Sequence, residues 1–163
     1  MRDMEQMYIE QFQPVYRFVL SLCRDPAQAE EITQQTFFKA IKAVDRFDGR
    51  CTLRVWLCQI AKNLYFDESR KRKRQLPIES APTGTSDDVE AQILRQERAR
   101  ELHGALHLLP EPYKEVFSLR VFAELPHAEI AQLFHKSESW ARVTYYRAKL
   151  MLMNELKGDE TDE

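Results

Sequence analysis

The chain has 163 residues, of which 44% are hydrophobic and 31% charged. A chain of this size buries one modest core or two very small ones, which excludes a large multidomain enzyme. Only four glycines and seven prolines favour helices and disfavour an all-β or nucleotide-binding α/β fold. No long apolar run occurs, and the polar start lacks the apolar stretch of a signal peptide. We therefore expect a cytoplasmic protein without direct membrane insertion.

The net charge of −2 hides an uneven distribution. Residues 1–75 carry 14 basic and 10 acidic side chains, a net charge of +4. Five consecutive basic residues stand near the end of this segment, at 70–74. Residues 76–101 have a net charge of −3 and residues 154–163 a net charge of −4. The stretch 75–88 is polar, contains two prolines and a glycine and lacks apolar periodicity, so we predict a flexible linker there.

Three helices are predicted before this linker. Apolar spacings of three and four predict the first helix, which Pro14 is expected to kink or divide. Its apolar side comprises Met4, Tyr8, Phe12, Tyr16, Val19, Leu20 and Cys23. Asp25 is predicted to cap the second helix, with Pro26 at its first position and Gln28 as the capping-box partner. Its buried side comprises Ala29, Ile32, Thr36, Phe37, Ala40, Ile41 and Val44.

The third predicted helix follows a loop at 46–51 and begins after Thr52 as its N-cap. Its apolar side comprises Leu53, Trp56, Leu57, Ile60, Ala61 and Leu64. Its opposite, solvent-facing side has an aromatic residue between basic residues. It comprises Val55, Gln59, Lys62, Phe66, Ser69 and Lys73. That side is either a nucleic-acid surface or a solvated basic face with Phe66 on a secondary core.

Four helices are predicted after the linker. The first ends before Pro110, and the second spans residues 111–122. A short helix at 129–134, a break at 135–137 and a long helix at 138–156 have helix-turn-helix proportions, although helical bundles that bind no DNA share them. On the long helix, the side chains predicted to face outward are Arg142, Thr144, Tyr146 and Arg147.

The cysteines Cys23, Cys51 and Cys58 form no CxxC pair and are odd in number. This pattern favours reduced thiols, with Cys23 and Cys58 in the core, over disulfides or a zinc site. No nucleophile and base pair, phosphate-binding loop or metal-ligand spacing is present, so we do not expect an enzyme.

Short motifs along most of the chain have the order and spacing of a known family. They are the stretch Asp25 to Phe37; then Phe47, Trp56-Leu57, Ile60-Ala61-Lys62-Asn63, Asp67 and Arg70; and finally Leu109-Pro110, Val116-Phe117, Leu119-Arg120, Glu129-Ile130-Ala131 and Arg147-Ala148-Lys149. Together they resemble the sigma-70 family of bacterial RNA polymerase sigma factors, specifically the small extracytoplasmic-function (ECF) group, which has only regions two and four.

The resemblance implies an all-α protein of two small helical domains joined by a flexible linker. Region two would span 1–74, the linker 75–88, region four with its helix-turn-helix 89–157, and an acidic tail 158–163. Such a protein binds core RNA polymerase, directs it to selected promoter DNA and promotes strand opening, with no metal, cofactor or catalytic residue of its own. The resemblance also implies a stress or envelope response under an anti-sigma factor, which in relatives is often anchored in the membrane.

The resemblance carries over three sets of residues. Those for the non-template strand of the minus-ten element are Asp48, Gly49, Arg50, Cys51, Thr52, Leu53, Lys62, Asn63, Phe66, Arg70, Lys71 and Lys73. Those for the minus-thirty-five element are Arg120, His127, Arg142, Val143, Tyr146, Arg147 and Lys149. Those for polymerase are Glu30, Glu31, Gln34 and Gln35.

The chain departs from the family pattern at several positions, among them Pro126, Lys136, Trp140 and Gln35. His135 stands where the family has a turn glycine, which costs about 1 kcal/mol if a positive backbone angle is kept there. Two other functions stay open on the residues alone. One is a stand-alone helix-turn-helix regulator, and the other is a helical adaptor without a nucleic-acid role.

Overall fold

The computed structural model describes residues 4–72 and 89–160. In the first half, α1 spans Met4–Cys23, α2 Pro26–Lys42 and α3 Leu53–Arg72, with a 3-10 turn at Val44–Arg46. In the second half, α4 spans Val89–His107, α5 Tyr113–Val121, α6 His127–Phe134 and α7 Glu138–Glu160. The described residues form no strand, so the all-α prediction is confirmed. The predicted linker 75–88, Lys73 and residues 161–163 lie outside the described residues.

Helix α1 occupies the centre of the fold. Pro14 lies inside one uninterrupted helix, so of the two predicted effects the division does not occur, and the kink stays a prediction. The buried residues of α1 are Gln11, Val15, Phe18, Val19, Ser21 and Leu22, whereas Met4 and Tyr8 are each 43% exposed. The predicted apolar side therefore omits most of the buried residues of α1. More of the helix is buried than predicted because α1 contacts α4 and α5 of the second half as well as α2 and α3.

Helix α2 begins as predicted but ends differently. Asp25 Oδ1 accepts a hydrogen bond from the Ala27 N–H at 3.1 Å, which confirms the cap. Gln28 is buried, and its Nε2 donates to Glu68 Oε2 on α3 at 3.3 Å; its role as the capping-box partner stays a prediction. Ile41 and Val44 are 44% and 46% exposed rather than buried, because they lie at the end of α2 and in the 3-10 turn after it, where the chain leaves the core.

Helix α3 is covered on both sides. Thr52 Oγ1 accepts from the Val55 N–H at 3.3 Å, which confirms the predicted cap. Val55, expected on the solvent side, is only 3% exposed, because α6 of the second half packs against α3. Cys58 is fully buried, as expected of a core residue, and burial raises the pKa of its thiol to about 12. Cys23 is only half-buried.

The helix-turn-helix predicted for the second half is confirmed. His135 ends α6 in the left-handed conformation, with φ +56°. The Lys136 N–H then donates to the Ala131 carbonyl at 2.9 Å. Ser137 caps α7, since its Oγ accepts from the Trp140 N–H at 3.1 Å. Thr144 is only 6% exposed, so its predicted outward orientation is wrong.

The position of Thr144 follows from the face of α7 that the fold buries. Ala141 and Ala148 are fully buried on α7 and lie three residues before and four residues after Thr144. Residues at these spacings share one helical face. Arg142, Tyr146 and Arg147 lie on other faces and are exposed, as predicted.

The two halves share one apolar core. A continuous cluster joins Val15, Phe18 and Leu57 of the first half to second-half residues. These are Val116, Leu119, Ala123, Leu125, Ile130, Ala131, Leu133 and Ala141. A smaller cluster joins α4 to α5 and α7 through Leu106, Phe117 and Ala148. Within residues 4–72 and 89–160, no helix combines the length and apolar composition needed to cross a bilayer.

Candidate nucleic-acid and polymerase surfaces

The loop before α3 is held in a defined shape. Asp48 Oδ1 accepts from the Arg50 N–H at 3.1 Å, and Asp48 Oδ2 pairs with Arg50 Nε at 2.9 Å on an exposed surface. Gly49 has φ +76°, a conformation that disfavours other residues. At the base of the loop, the rings of Phe47 and Trp56 lie 4.9 Å apart. The loop is thus fixed at both ends, with polar groups exposed at its tip.

Lys62 and Asn63 are neighbours on α3 in different surroundings. Asn63 is exposed. Lys62 Nζ lies 2.8 Å from Glu115 Oε1 of α5 and 4.2 Å from the centre of the Phe134 ring of α6. The Lys62 side chain is 19% exposed and that of Glu115 5%. In this arrangement Asn63 is free to meet a base, whereas Lys62 is occupied by the second half.

The remaining predicted residues of α3 continue toward its C-terminal end. Phe66 is half-buried and packs edge-on against Tyr65, with 5.2 Å between ring centres, which agrees with a secondary packing contact. Arg70 pairs with Asp67 at 3.3 Å on the exposed surface, and Lys71 is exposed. An exposed ion pair of this kind contributes little to stability, so Arg70 can exchange its partner for a phosphate.

Helix α7 presents its predicted residues to solvent. Val143 is 45% and Tyr146 61% exposed, and Arg147 and Lys149 are exposed beside them. Arg142 Nη2 donates to Glu138 Oε1, one turn earlier, at 2.9 Å. This surface of α7 therefore carries three cations and an aromatic ring with a hydroxyl, a set suited to the phosphates and base edges of a major groove.

Arg120 and His127 are engaged within the second half. Arg120 Nη1 donates to the Leu125 carbonyl at 3.2 Å, and the His127 ring lies 5.5 Å from that of Tyr145. Burial, followed by the charges of Arg120 and Arg142, lowers the pKa of His127. His127 is therefore a poorer cation than a free histidine.

The predicted polymerase surface lies on the outer side of α2. Its four members are exposed and form two pairs along the helix. Gln34 Nε2 donates to Glu30 Oε1 at 3.3 Å and Gln35 Nε2 donates to Glu31 Oε1 at 3.4 Å. Phe38, 60% exposed, continues this surface, with Lys42 Nζ 4.3 Å from its ring centre. Phe38 was not among the residues predicted for the buried side of this helix, but it was also not among those predicted for the polymerase surface.

Several polar residues that join the halves were missed from sequence. Arg54 Nε donates to Gln11 Oε1 at 2.9 Å, and its Nη1 lies 3.4 Å from the Ala123 carbonyl, which accepts from it. Gln132 Nε2 donates to the Arg50 carbonyl at 3.0 Å. Glu115 was also unpredicted, although its spacing from the buried Ser118 and Leu119 places it on an inward face.

Two open clefts lie at the contact between the halves. One, of about 390 Å³, lies between Thr52 with the first residues of α3, Leu53 and Arg54, and the turn before α6 with Glu129 of α6 itself. The other, of about 440 Å³, is lined by Arg24, which follows α1, and by residues of α4 and α7. The described side chains contain no group of three or more histidine, cysteine or carboxylate ligands placed for a metal ion.

Comparison with known proteins matches both halves. Residues 8–75 match the family model Sigma-70 region 2, and residues 99–152 match Sigma-70, region 4. The first match contains the loop and α3, and the second contains the helix-turn-helix. Together, the two models cover most of the chain in the expected order.

Whole-length relatives agree. The chain is 30% identical over 152 residues to ECF RNA polymerase sigma factor SigM of Bacillus subtilis, covering 92% of this chain and 91% of that protein. It is 27% identical over 166 residues to RNA polymerase sigma factor YlaC of the same organism, covering 99% of this chain and 96% of that protein.

Two solved structures show the same fold. One is sigma factor RpoE in complex with anti-sigma factor NepR from Bartonella quintana, with a TM-score of 0.75, 22% identity and complete coverage of both chains. The other is CnrH in complex with the cytosolic domain of CnrY, with a TM-score of 0.73, 21% identity and coverage of 96% of this chain and 88% of that one. The two family models and the whole-length relatives show that the chain belongs to the sigma-70 family of RNA polymerase sigma factors, in its ECF group.

Proposed function

We propose that the chain binds core RNA polymerase, places it at specific promoters and promotes strand opening, without catalytic chemistry of its own. The proposed units are region two at 1–74, a linker at 75–88, region four at 89–157 and a tail at 158–163. One observation carries the proposal. The chain has both an exposed loop tip followed by the exposed Asn63 of α3 and an exposed α7 surface, and each lies inside its matching family model.

The loop and α3 would act on the minus-ten element. Opening a base-pair step costs about 1.4 kcal/mol on average, and stacking one unpaired base returns about 1–3 kcal/mol. Capture of one or two bases therefore shifts a nearly balanced equilibrium toward open DNA. We assign base capture to residues 48–53 and to Asn63, whose amide offers both a donor and an acceptor. Lys62, Arg70 and Lys71 would contact phosphates, and Phe66 would support the surface.

Helix α7 would recognise the minus-thirty-five element. Arg147 is the best-placed residue for two hydrogen bonds to a guanine, with Arg142, Val143 and Tyr146 beside it. Lys149 would contact a phosphate. Arg120 and His127 would meet the backbone where α5 and α6 approach the duplex, the charge coming mainly from Arg120, since the pKa of His127 is lowered.

Helix α2 would bind the polymerase. Glu30, Glu31, Gln34 and Gln35 give an acidic and amide surface that complements a basic partner. An anti-sigma factor is the proposed inhibitor, because the solved structures that share this fold include complexes with one. We propose a cytoplasmic location and a stress or envelope response for the pathway.

The test is run-off transcription of a genomic library with purified core RNA polymerase, with and without the chain. New start sites that require the chain support the proposal. Failure to yield any new start site contradicts it. Promoter binding without co-purification of polymerase identifies a stand-alone helix-turn-helix regulator instead.

A further inference from the structure

Three basic side chains from three helices of the second half meet at the start of α6. Arg120 of α5 donates to the Leu125 carbonyl at 3.2 Å, which holds it beside the turn that leads into α6. His127 is the first residue of α6, and its ring lies 5.5 Å from that of Tyr145 on α7. Arg142 precedes Tyr145 by three residues and therefore lies on the same side of α7. We call Arg120, His127 and Arg142 the basic corner.

We propose that the basic corner binds a DNA phosphate in a proton-linked manner: His127 takes up a proton from solvent as the phosphate binds, so duplex recognition by α7 is tighter under mildly acidic conditions. This inference rests on the proposed function and adds a regulation to the same surface.

The free chain disfavours a charge on His127. Burial is the largest cause that lowers its pKa, and the charges of Arg120 and Arg142 lower it further. The Nδ1 atom of His127 is buried and has no hydrogen-bond partner among the described residues. A charged ring would therefore carry an unsatisfied N–H group there. The corner thus holds two permanent cations and one histidine that is neutral at neutral pH.

The anions around the corner are few and exposed. Glu138 is the carboxylate that acts on His127, and its charge, the smallest of the four causes, raises the pKa. Glu138 Oε1 accepts from Arg142 Nη2 at 2.9 Å, with the two side chains 54% and 64% exposed. An exposed pair of this kind contributes little to stability, so Arg142 can exchange Glu138 for a phosphate. On the side of α3, the cleft next to Pro126 carries three charged residues, Arg54, Glu124 and Glu129.

The corner lies where the backbone of a bound duplex passes. Val143 and Tyr146, the candidates for base contacts, follow Arg142 by one and four residues and are 45% and 61% exposed. A duplex whose base edges meet these side chains has its phosphates at the flanks of α7. Contacts to phosphates fix the register of a protein on the duplex without reading its sequence.

A phosphate at the corner reverses the electrostatics of His127. An anion within about 4–6 Å favours the charged form of a histidine, so the pKa of His127 is higher with DNA bound than in the free chain. The coupling is reciprocal, and a phosphate that favours the proton is itself bound more tightly by the protonated chain. Histidine is suited to this role because its ordinary pKa is close to neutral pH.

The direction of the pH effect follows from these two pKa values. Affinity rises as pH falls from above the pKa of the bound state to below the lowered pKa of the free state, and it is constant outside this window. The gain is at most about tenfold for each unit that separates the two values. We expect binding to tighten about threefold or more between pH 8 and pH 6.

The test uses the full chain and a duplex that the chain selects from a random-sequence pool, so that no promoter needs to be known. Calorimetric titrations at pH 6.5 in two buffers with different heats of ionisation give the number of protons taken up on binding. Fluorescence anisotropy gives the affinity between pH 8 and pH 6 and its salt dependence. We expect net proton uptake, and a slope of log affinity against log salt concentration that is steeper at pH 6 by up to about 0.9.

Two variants remove the titrating group in different ways. His127→Gln keeps a polar side chain, and His127→Phe keeps a ring against Tyr145. Both are expected to lose the proton uptake and the tightening at low pH. His135→Asn is the matched control, because it removes another exposed histidine of the helix-turn-helix while asparagine tolerates the positive φ of that position. The control is expected to keep both effects.

Circular dichroism at both pH values verifies that each variant is folded. Should the His127 variants unfold, the ring-proton chemical shifts of His127 in the wild-type chain give its pKa with and without duplex. That pKa must be higher with the duplex.

The inference is overturned by zero net proton uptake in the wild-type chain, by failure to select any duplex, or by His127 variants that keep the wild-type uptake and tightening. Run-off transcription with core polymerase separates these outcomes from failure of the proposed function. A chain that yields new start sites but binds duplex without proton uptake is a sigma factor without this regulation. A chain that takes up protons on its selected duplex but yields no start site retains the basic corner and fails as a sigma factor.

Discussion

On α3, Lys62 keeps 19% of its side chain exposed and is paired with Glu115 of the second half, whereas on α7 Tyr146 keeps 61% exposed and Arg142 pairs with Glu138 of the same helix. The two candidate DNA surfaces therefore differ in their dependence on the rest of the fold. Substitutions on α7 report DNA contacts alone, while substitutions at Lys62 change both a DNA contact and the packing of the two halves.

The largest expected effect comes from a residue that supports both surfaces. Ile130 on α6 is fully buried in the shared core. Ile130→Ala is expected to reduce the free energy of unfolding by about 2–5 kcal/mol, because it removes buried methyl groups and leaves a cavity. Urea denaturation measures the loss, with Val121→Ala, at a position 41% exposed, as control. The control is expected to change the free energy by at most about 0.5 kcal/mol. Equal losses would contradict the shared core.

The second prediction concerns only the open surface. Arg147→Ala is expected to weaken binding to minus-thirty-five duplex by about 1–3 kcal/mol, because a bidentate contact to guanine is lost. Binding to a forked DNA with an unpaired minus-ten strand, measured in the presence of polymerase, is expected to stay unchanged. Competition binding against duplexes with each base replaced measures the effect. Arg147→Lys keeps the charge but lacks the planar guanidinium group. The variant is therefore expected to retain the salt dependence of binding and to lose base selectivity.

A smaller effect on DNA binding is expected for Asn63, which lies on α3 in the candidate minus-ten surface. Asn63 is exposed, so Asn63→Ala leaves the free energy of unfolding unchanged to within about 0.5 kcal/mol. The variant is expected to weaken fork binding by the holoenzyme by about 0.5–1.5 kcal/mol through the loss of hydrogen bonds to one base. Lys71→Ala is the matched control. Loss of a phosphate contact weakens binding to all sequences alike and lowers the slope of log affinity against log salt concentration by about 1. Sequence-independent weakening by Asn63→Ala would argue against base capture.

The turn of the helix-turn-helix allows a stabilising change. His135 has φ +56°, a conformation that strains residues with a Cβ atom. His135→Gly is expected to raise the free energy of unfolding by up to about 1 kcal/mol, or the melting temperature by about 2–4 °C. Lys136→Gly is the control, because Lys136 lacks a positive φ and glycine there is expected to destabilise by about 0.5–1 kcal/mol. A drop in melting temperature for His135→Gly would contradict relief of strain.

The helices and the helix-turn-helix could be predicted from sequence because each depends on local patterns of apolar spacing, caps and breaks. Asp25, Thr52 and the break at 135–137 are examples. The contacts between the two halves could not be predicted in this way. Gln132 and Arg50 are 82 residues apart, and Arg54 and Ala123 are 69 apart.

Individual misassignments have the same origin. Val55 faces solvent on α3 taken alone, and only the packing of α6 buries it. Ile41 is apolar but lies where α2 leaves the core. Sequence periodicity indicates that a helix has an apolar face, but the partner that covers another face depends on contacts distant in the chain. The candidate DNA residues were located by family motifs, while their burial had to come from the fold.

The smallest expected effect lies where α4 meets α1. Burial, followed by the charge of Arg24, lowers the pKa of His103, whose ring stacks on Phe122 at 5.6 Å. The unfolded chain therefore takes up a proton first as pH falls, so stability is constant above the ordinary histidine pKa and declines below it. His103→Gln is expected to reduce this decline between pH 7.5 and pH 5.5, measured as the shift of the urea midpoint. His107 and His127 titrate in the same direction and retain part of the slope. An unchanged slope in His103→Gln would show that protonation of this side chain is not coupled to folding.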